Sequence, residues 1–175
     1  MAIKMHRKPL LFGTLGSPGS GKSYFSERFC REFNFIHLRS DELRDRIIKN
    51  PQYIASEHAI VFGAMDFMAE KFLRAGTSVI YDANSNLKNH RNKLREIAKK
   101  TKARFLLIWF KTPIEVAIKR AAKRSFHPVD ELVVSNLHKE IEDPIKERHI
   151  VLNGLDSYKK QSQHVLKFIK NEITF

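Results

Sequence analysis

The chain has 175 residues, 42% of them hydrophobic, which suits a single domain, residues 1–175, around one sizeable core. Its 32 Lys and Arg against 19 Asp and Glu give a formal charge of +13, which favours anionic partners such as phosphate, nucleic acid or an acidic surface. The single cysteine, Cys30, excludes an internal disulfide framework and a Cys-rich zinc site and fits a reducing compartment. No apolar run approaches the ~20 residues needed to cross a bilayer, so a soluble, cytoplasmic protein is expected with no membrane partner.

The opening "MAIKMHRKPLLFGTLG" has the charge order of a signal peptide, but its apolar part is short and no small-residue cleavage site follows. It reads better as leading into a first strand, Leu10 to Leu15. "KSYFSERFCREF", with Phe25, Phe29 and Phe33 at helical spacing, predicts the helix behind it. Phe35 to Leu38 is a short second strand. A helix is expected from about Asp41, and a longer one from about Gln52 to Arg74 with Gly76 as its stop. Thr77 to Ala83 and Ala103 to Phe110 have the continuous apolar character of strands buried on both faces. Between them "NLKNHRNKLREIAKKT" is helical and basic.

In "TPIE", Thr112 at the cap, Pro113 in the first helical position and Glu115 as a capping-box partner predict a helix through about Arg124. A loop, "SFHPVD", and another helix follow, then a last strand in "HIVLNG" and a closing helix in "YKKQSQHVLKFIKNEI". The order βαβααβαβααβα implies right-handed crossovers and a parallel sheet covered on both sides, with no repeat, linker or low-complexity segment to divide it. Phe29, Phe62, Phe67, Phe72 and Trp109 are expected in the core.

"GSPGSGKS", Gly16 to Ser23, satisfies G-x-x-x-x-G-K-[ST] and lies between a predicted strand and a predicted helix, the context that motif requires. The backbone of Gly16, Ser17, Pro18, Gly19, Ser20 and Gly21 would cradle phosphates, with the helix amino end adding a favourable dipole. Lys22 would reach the β- and γ-phosphates of ATP, and the Ser23 hydroxyl would ligate Mg²⁺. A GTPase should carry N-K-x-D, but "NKLR", Asn92 to Arg95, lacks the Asp. Transporter and motor ATPases need more chain and further motifs, which leaves a small phosphotransferase.

Ligands of a doubly wound sheet bind outside the carboxyl ends of its strands. After the second strand, "RSDELR" offers Asp41 to accept a hydroxyl proton and Arg44, one turn on, to hold an acceptor anion. The same residues also suit a helix start with Arg44 as a surface partner of Asp41. After the third strand, "YDANSN" offers Asp82 and Asn84 to the site. Asp82 could meet the waters of Mg²⁺ or a cation, while Asn84, Ser85 and Asn86 can cap the next helix. "AIKRAAKR" places Arg120 and Arg124 one turn apart, able to serve a transferring phosphoryl group or simply to form a solvated basic face. The eight histidines form no metal-binding pattern, and none is assigned to a metal.

Together "GSPGSGKS", "RSDELR", "DAN" and "KRAAKR", in that order, resemble the P-loop kinases related to polynucleotide 5′-hydroxyl kinase and to the zeta-like toxin kinases. The resemblance covers about Leu10 to Arg124. It implies a P-loop three-layer α/β/α sandwich with a five-stranded parallel sheet and a small helical lid at about 120–140. By it Asp41 is the general base, Arg44 engages the acceptor phosphate, Asp82 organises the acceptor pocket, Arg120 lies against adenine and Arg124 contacts the phosphates. The D-x-D-G-T segment of the fused phosphatase is absent before Phe175, so kinase activity alone is expected.

The same architecture serves kinases of nucleotide sugars, chloramphenicol and gluconate. The basic stretch Lys88 to Arg104, with eight Lys or Arg, favours a polynucleotide or nucleotide 5′-hydroxyl as acceptor. The alternatives are a small-molecule kinase on this fold and a non-catalytic nucleic-acid-binding protein regulated by a nucleotide.

Overall fold

A computed structural model describes residues 8–125 and 127–173. The part of the opening segment at residues 1–7 lies outside the described residues, as do Phe126 of the expected loop and residues 174–175. Five strands, β1 (Leu10–Leu15), β2 (Ile36–Arg39), β3 (Val79–Asp82), β4 (Arg104–Lys111) and β5 (His149–Asn153), form one sheet. Their order is β2-β3-β1-β4-β5, and each neighbouring pair is parallel. Around it run α1 (Lys22–Phe33), α2 (Ser40–Ile47), α3 (Ala55–Arg74), α4 (Lys88–Thr101), α5 (Ile114–Ala122), α6 (Glu131–Lys139) and α7 (Tyr158–Ile173). The expected fold class and element order are those observed. Because every strand is parallel, Leu15, Arg39, Asp82, Lys111 and Asn153 end at one edge of the sheet, where the loops converge.

Alternation along the strands divides the interior into two layers. Leu11, Val79 and Tyr81 pack toward Val61, Met65, Ala69 and Leu73 of α3 and Leu94, Ile97 and Ala98 of α4. Phe12, Ile80, Ile108 and Phe110 pack the other way, against Phe25, Phe29 and Cys30 of α1 and Val165 of α7. The Phe25 and Phe29 rings lie 5.2 Å apart, and Phe29 meets Phe33 at 4.4 Å. The 3.6-residue spacing thus builds an aromatic ladder under β1.

Several local expectations give way to tertiary contacts. No side-chain cap forms at Thr112: Pro113 is the cap residue and α5 stops at Ala122. The Thr112 hydroxyl instead donates to the Ser20 carbonyl at 3.0 Å, a long-range partner the local sequence does not reveal. At α4 the cap position is Leu87, without a side-chain cap, and the Glu142 carboxylate accepts from the Lys88 N–H across 54 residues. Phe67 is 63% exposed rather than in the core, because it falls on the outer face of α3. Phe62 and Phe72 are half-buried against the core.

The basic stretch from Lys88 to Arg104 is not one solvated face. Arg91 is fully buried. Its Nε and Nη2 donate to the Glu147 carboxylate, and its Nη1 and Nη2 to the carbonyls of Ser85, Asn86 and Glu142. Arg95 pairs with the same Glu147 and lies over the Phe105 ring. This network fastens the segment between α6 and β5 onto α4. Helix α4 also runs from the carboxyl edge of the sheet to the amino edge, about 20 Å at 1.5 Å per residue. Lys99, Lys100 and Lys102 therefore lie at the end remote from the site.

Candidate active site

Between β1 and α1 the chain must reverse around a concave backbone, and residue size decides whether it can. A Cβ at Gly19, where φ is 81°, would come 2.0 Å from the Ala117 carbonyl oxygen of α5. Only glycine fits both the left-handed conformation and that approach. At Gly16, with φ 142°, a Cβ would come 2.7 Å from the Phe110 carbonyl oxygen. Ser17 and Ser20 are buried, and Pro18 is half-buried between them. Helix α1 begins after Gly21 with no side-chain cap and no acidic residue in its first turn, so its amino-terminal N–H groups and dipole face the loop uncompensated.

Lys22 folds back over the loop and donates to the carbonyls of Gly16 at 2.6 Å and Ser17 at 2.9 Å. Burial pushes its ammonium down to about 8, helped by the Arg124 guanidinium and opposed by the carboxylates of Asp82 and Asp41. The Walker-type lysine, both candidate carboxylates and the lid arginine therefore share one electrostatic environment. They come from four separate parts of the chain.

Asp82, at the end of β3, is buried. Its Oδ2 lies 3.0 Å from His37 Nε2 on β2, and its Oδ1 accepts from the Thr14 hydroxyl at 3.5 Å. Burial alone would raise this carboxyl. The His37 hydrogen bond and charge, the Lys22 ammonium and the neighbouring Ser23 hydroxyl together hold it below the usual carboxylate range. Ser23 and Asp82 thus meet beside the phosphate loop. His37 is a candidate site residue that sequence reasoning missed; its place beside Asp82 in the β2–β3 register, two residues before the Arg39 and Asp82 pair, appears only once the strands pair.

The donor set tests the site for a nucleotide and a divalent cation. The buried Ser20 hydroxyl has no protein partner, the α1 terminus is uncapped, and Ser23 stands beside Asp82, whose carboxyl is held low. These features fit phosphates and Mg²⁺. Among the described residues no three His, Cys, Asp or Glu side chains group to hold a metal by themselves, so phosphate and water oxygens would complete its shell.

Asp41 lies in the first turn of α2 and is half-buried. Arg44 is not its surface partner. At 2% exposure it donates from Nη1 to Glu57 at 3.2 Å and from Nη2 to His58 Nδ1 at 2.9 Å, with its guanidinium 4.7 Å from the centre of the Tyr53 ring. Only Nε lacks a partner. Asn84 is exposed; its Oδ1 accepts from the Asn86 N–H at 3.0 Å, which fixes the turn after Asp82.

Helices α5 and α6 occupy the region expected for a lid. Beyond the Gly19 contact, Ser17 Oγ shares a hydrogen bond of 2.8 Å with His138 Nδ1, and Asn86 donates to the Leu137 carbonyl at 2.7 Å. Arg120 donates to the Gly154 carbonyl after β5 at 2.8 Å, while Arg124 is half-buried near Lys22. Only Arg120 lies on α5; Arg124, expected one turn on along the same helix, falls beyond its end at Ala122, so the two diverge, one toward the β5 loop and one toward the phosphate loop. Trp109, half-buried rather than in the core, lines a cavity of about 580 Å³ with Lys111, His138 and Asn153.

A family described as AAA domain, AAA_33, matches residues 11–144. The L-seryl-tRNA(Sec) kinase of Methanococcus maripaludis is 25% identical over 134 residues, covering 74% of this chain and 51% of that protein. The chain thus spans about half the length of that relative. An adenylate kinase of Prochlorococcus marinus is 29% identical over 174 residues, covering 89% of this chain and 86% of its own length. In fold, a sugar kinase of Janibacter sp. HTCC2649 superposes with a TM-score of 0.72 at 16% identity, over 93% of this chain and 95% of that one. Among the described residues no helix is long and apolar enough to cross a membrane.

Proposed function

Because the chain belongs to the AAA_33 family of AAA domains, we propose that it is an ATP-dependent kinase whose acceptor is a hydroxyl, with the 5′-hydroxyl of a polynucleotide or nucleotide favoured. The observation that carries this reading is the convergence on Lys22 of Asp41, Asp82 and Arg124. A nucleotide-binding regulatory loop needs the lysine but has no use for a carboxylate on the acceptor side. The similarity to kinases supports phosphoryl transfer, and the similarity to a seryl-tRNA(Sec) kinase supports an acceptor joined to nucleic acid.

In this mechanism the loop N–H groups and the α1 terminus bind the β- and γ-phosphates, and Lys22 leaves its two carbonyls to reach them. Mg²⁺, held by Ser23 with Asp82 behind it, would neutralise phosphate charge. Asp41 orients the acceptor hydroxyl and accepts its proton as the oxygen attacks the γ-phosphorus and the bond from that phosphorus to the β–γ bridging oxygen breaks, releasing ADP. Arg124 stabilises the equatorial oxygens where charge spreads in the transition state, and Arg120 lies along the adenine. Asp82 and Asn84 shape the acceptor side. A cytoplasmic location is part of the same proposal.

The test is a panel of acceptors with labelled ATP: 5′-hydroxyl oligonucleotides, nucleosides, nucleoside monophosphates, nucleotide sugars and sugars. Label on 5′-hydroxyl oligonucleotides is the expected result. Label confined to nucleoside monophosphates would replace the hydroxyl by a phosphate acceptor, and label on no acceptor would refute the kinase.

A further inference from the structure

Tyr53, His58, Phe62 and His90 form a row of rings that begins near Asp41, with Phe62 at its base packed in part against the core. Tyr53 is 45% exposed, His90 is exposed, and His58 and Phe62 are half-buried. The rings follow one another in space. The Arg44 guanidinium lies under Tyr53 and donates to His58. The His58 ring stacks on Phe62 with centroids 6.1 Å apart and planes 20° from parallel. Phe62 meets His90 at 5.7 Å, and His90 Nδ1 lies 3.3 Å from the Asn84 carbonyl oxygen. The row therefore runs from the α2 side to the turn after Asp82, along the carboxyl edge of the sheet.

Its geometry is held in place from behind. Tyr53 has φ of 57°, a conformation that is strained for an aromatic residue. Glu57 maintains it by accepting from the N–H groups of Gln52 and Tyr53 while pairing with Arg44. Because Arg44 can only donate, His58 must present an unprotonated Nδ1. Burial, followed by the Arg44 charge, lowers its pKa and keeps the ring neutral. At the outer end the Tyr53 hydroxyl and His127 Nδ1 lie 3.2 Å apart, with His127 Nε2 2.8 Å from Asp45. The lid loop thus abuts the row.

We propose that Tyr53, His58, Phe62 and His90 form a stacking wall for a nucleobase of the acceptor, the base of the nucleotide whose 5′-hydroxyl faces Asp41. This rests on the kinase reading and deepens it by naming how the acceptor is recognised. A sugar or sulfate ester is recognised by convergent polar donors, whereas this wall offers the exposed rings of Tyr53 and His90. The cation beneath it is already taken up by Glu57 and His58. Stacking tolerates any base, so the wall requires that a base be present and discriminates little among the four.

The experiment compares 5′-hydroxyl oligonucleotides that carry either a normal or an abasic first nucleotide. The abasic acceptor should show a KM raised about 10-fold or more with kcat little changed. His90→Ala should raise the KM of the base-bearing acceptor and leave that of the abasic one unmoved. Equal use of both acceptors by the natural chain overturns the wall and leaves the kinase reading intact. If no oligonucleotide is phosphorylated, the polynucleotide reading fails, and the wall is judged by binding of 2-aminopurine nucleoside 3′-monophosphate. Fluorescence quenching that His90→Ala and the volume-sparing Phe62→Leu both weaken sustains it; absence of quenching overturns it. Thermal melting of each variant shows whether it is folded.

Discussion

The donor and acceptor halves proposed for the cleft are built in different ways. The proposed donor half is eight consecutive residues whose backbone would do the binding, so its geometry follows from glycine positions and one helix terminus. The acceptor half is assembled from α2, α3 and the start of α4 by side chains, and its central cation, Arg44, is held by Glu57 and His58. Arg91 makes the contrast sharper. Both arginines are buried, but every guanidinium nitrogen of Arg91 has a partner, whereas the buried Nε of Arg44 has none. A buried cation whose donors are all satisfied acts as a structural tie; Arg44, held by Glu57 and His58 but one partner short, is a less complete one.

The largest effect expected separates the halves directly. Asp41→Asn should lower kcat by about 10²–10⁴ while nucleotide binding, measured by equilibrium fluorescence, stays as it was. Unchanged turnover on the natural acceptor would remove Asp41 as the base. Lys22→Met should do the reverse, lowering kcat/KM for ATP by about 10²–10³. Because Lys22 holds a charge against burial, the same variant should gain stability, about 1 kcal/mol or 2–4 °C in Tm. A fall in Tm would show that its two carbonyl contacts outweigh the cost of desolvation.

Next in size is the paired comparison of arginines. Arg91→Leu leaves Glu147 without its main partner and should cost about 3–5 kcal/mol in urea unfolding, with kcat per folded molecule unchanged. Arg44→Leu should cost less stability but raise the acceptor KM, since Tyr53 and His58 lose the group that orders them. If both variants gave the same stability loss with no change in KM, the two arginines would be equivalent ties.

The smallest effects are those of pH. Glu147 would be raised by burial, but the Arg91 and Arg95 hydrogen bonds and charges hold it low. Asp82 is held low by His37, Lys22 and Ser23. Depressed carboxylates bind fewer protons in the folded chain, so their contribution is complete above about pH 5 and is lost as the solution is acidified through their folded values. Arg91→Leu should move the acid-unfolding midpoint upward. Lys22 acts at the other end. Its folded pKa of about 8 lies below the ordinary 10.5, so the unfolded chain binds more protons in that window and stability should rise with pH across it. ATP affinity should fall over the same range as the ammonium is lost. A flat affinity profile from pH 7 to 10 would place the lysine's pKa higher than the free site indicates.

How much was legible follows the same division. "GSPGSGKS" specifies its own shape because each requirement is local: φ at Gly19, the helix start at Lys22, the hydroxyl at Ser23. Asp41 and Asp82 could be placed near the loop because strand ends in a parallel sheet share one edge. His37 could not, because its link to Asp82 depends on β2 pairing with β3, and nothing near residue 37 signals it. Nor could the partners of Thr112 or Lys88, where distant groups displaced local caps. The basic helix misled because composition cannot tell that Arg91 points inward. Residue 91 is one turn from Leu94 and shares its buried face.

By itself the sequence determined the alternation of elements, the two-sided burial of the central strands and the phosphate loop, since propensity, periodicity and glycine sterics act over a few residues. Only the tertiary structure decided which charges share a site, which arginine is a tie, and which rings line the cleft. Those depend on groups tens of residues apart, brought within a few ångströms by the packing of helices on the sheet, where burial amplifies every charge and every missing partner.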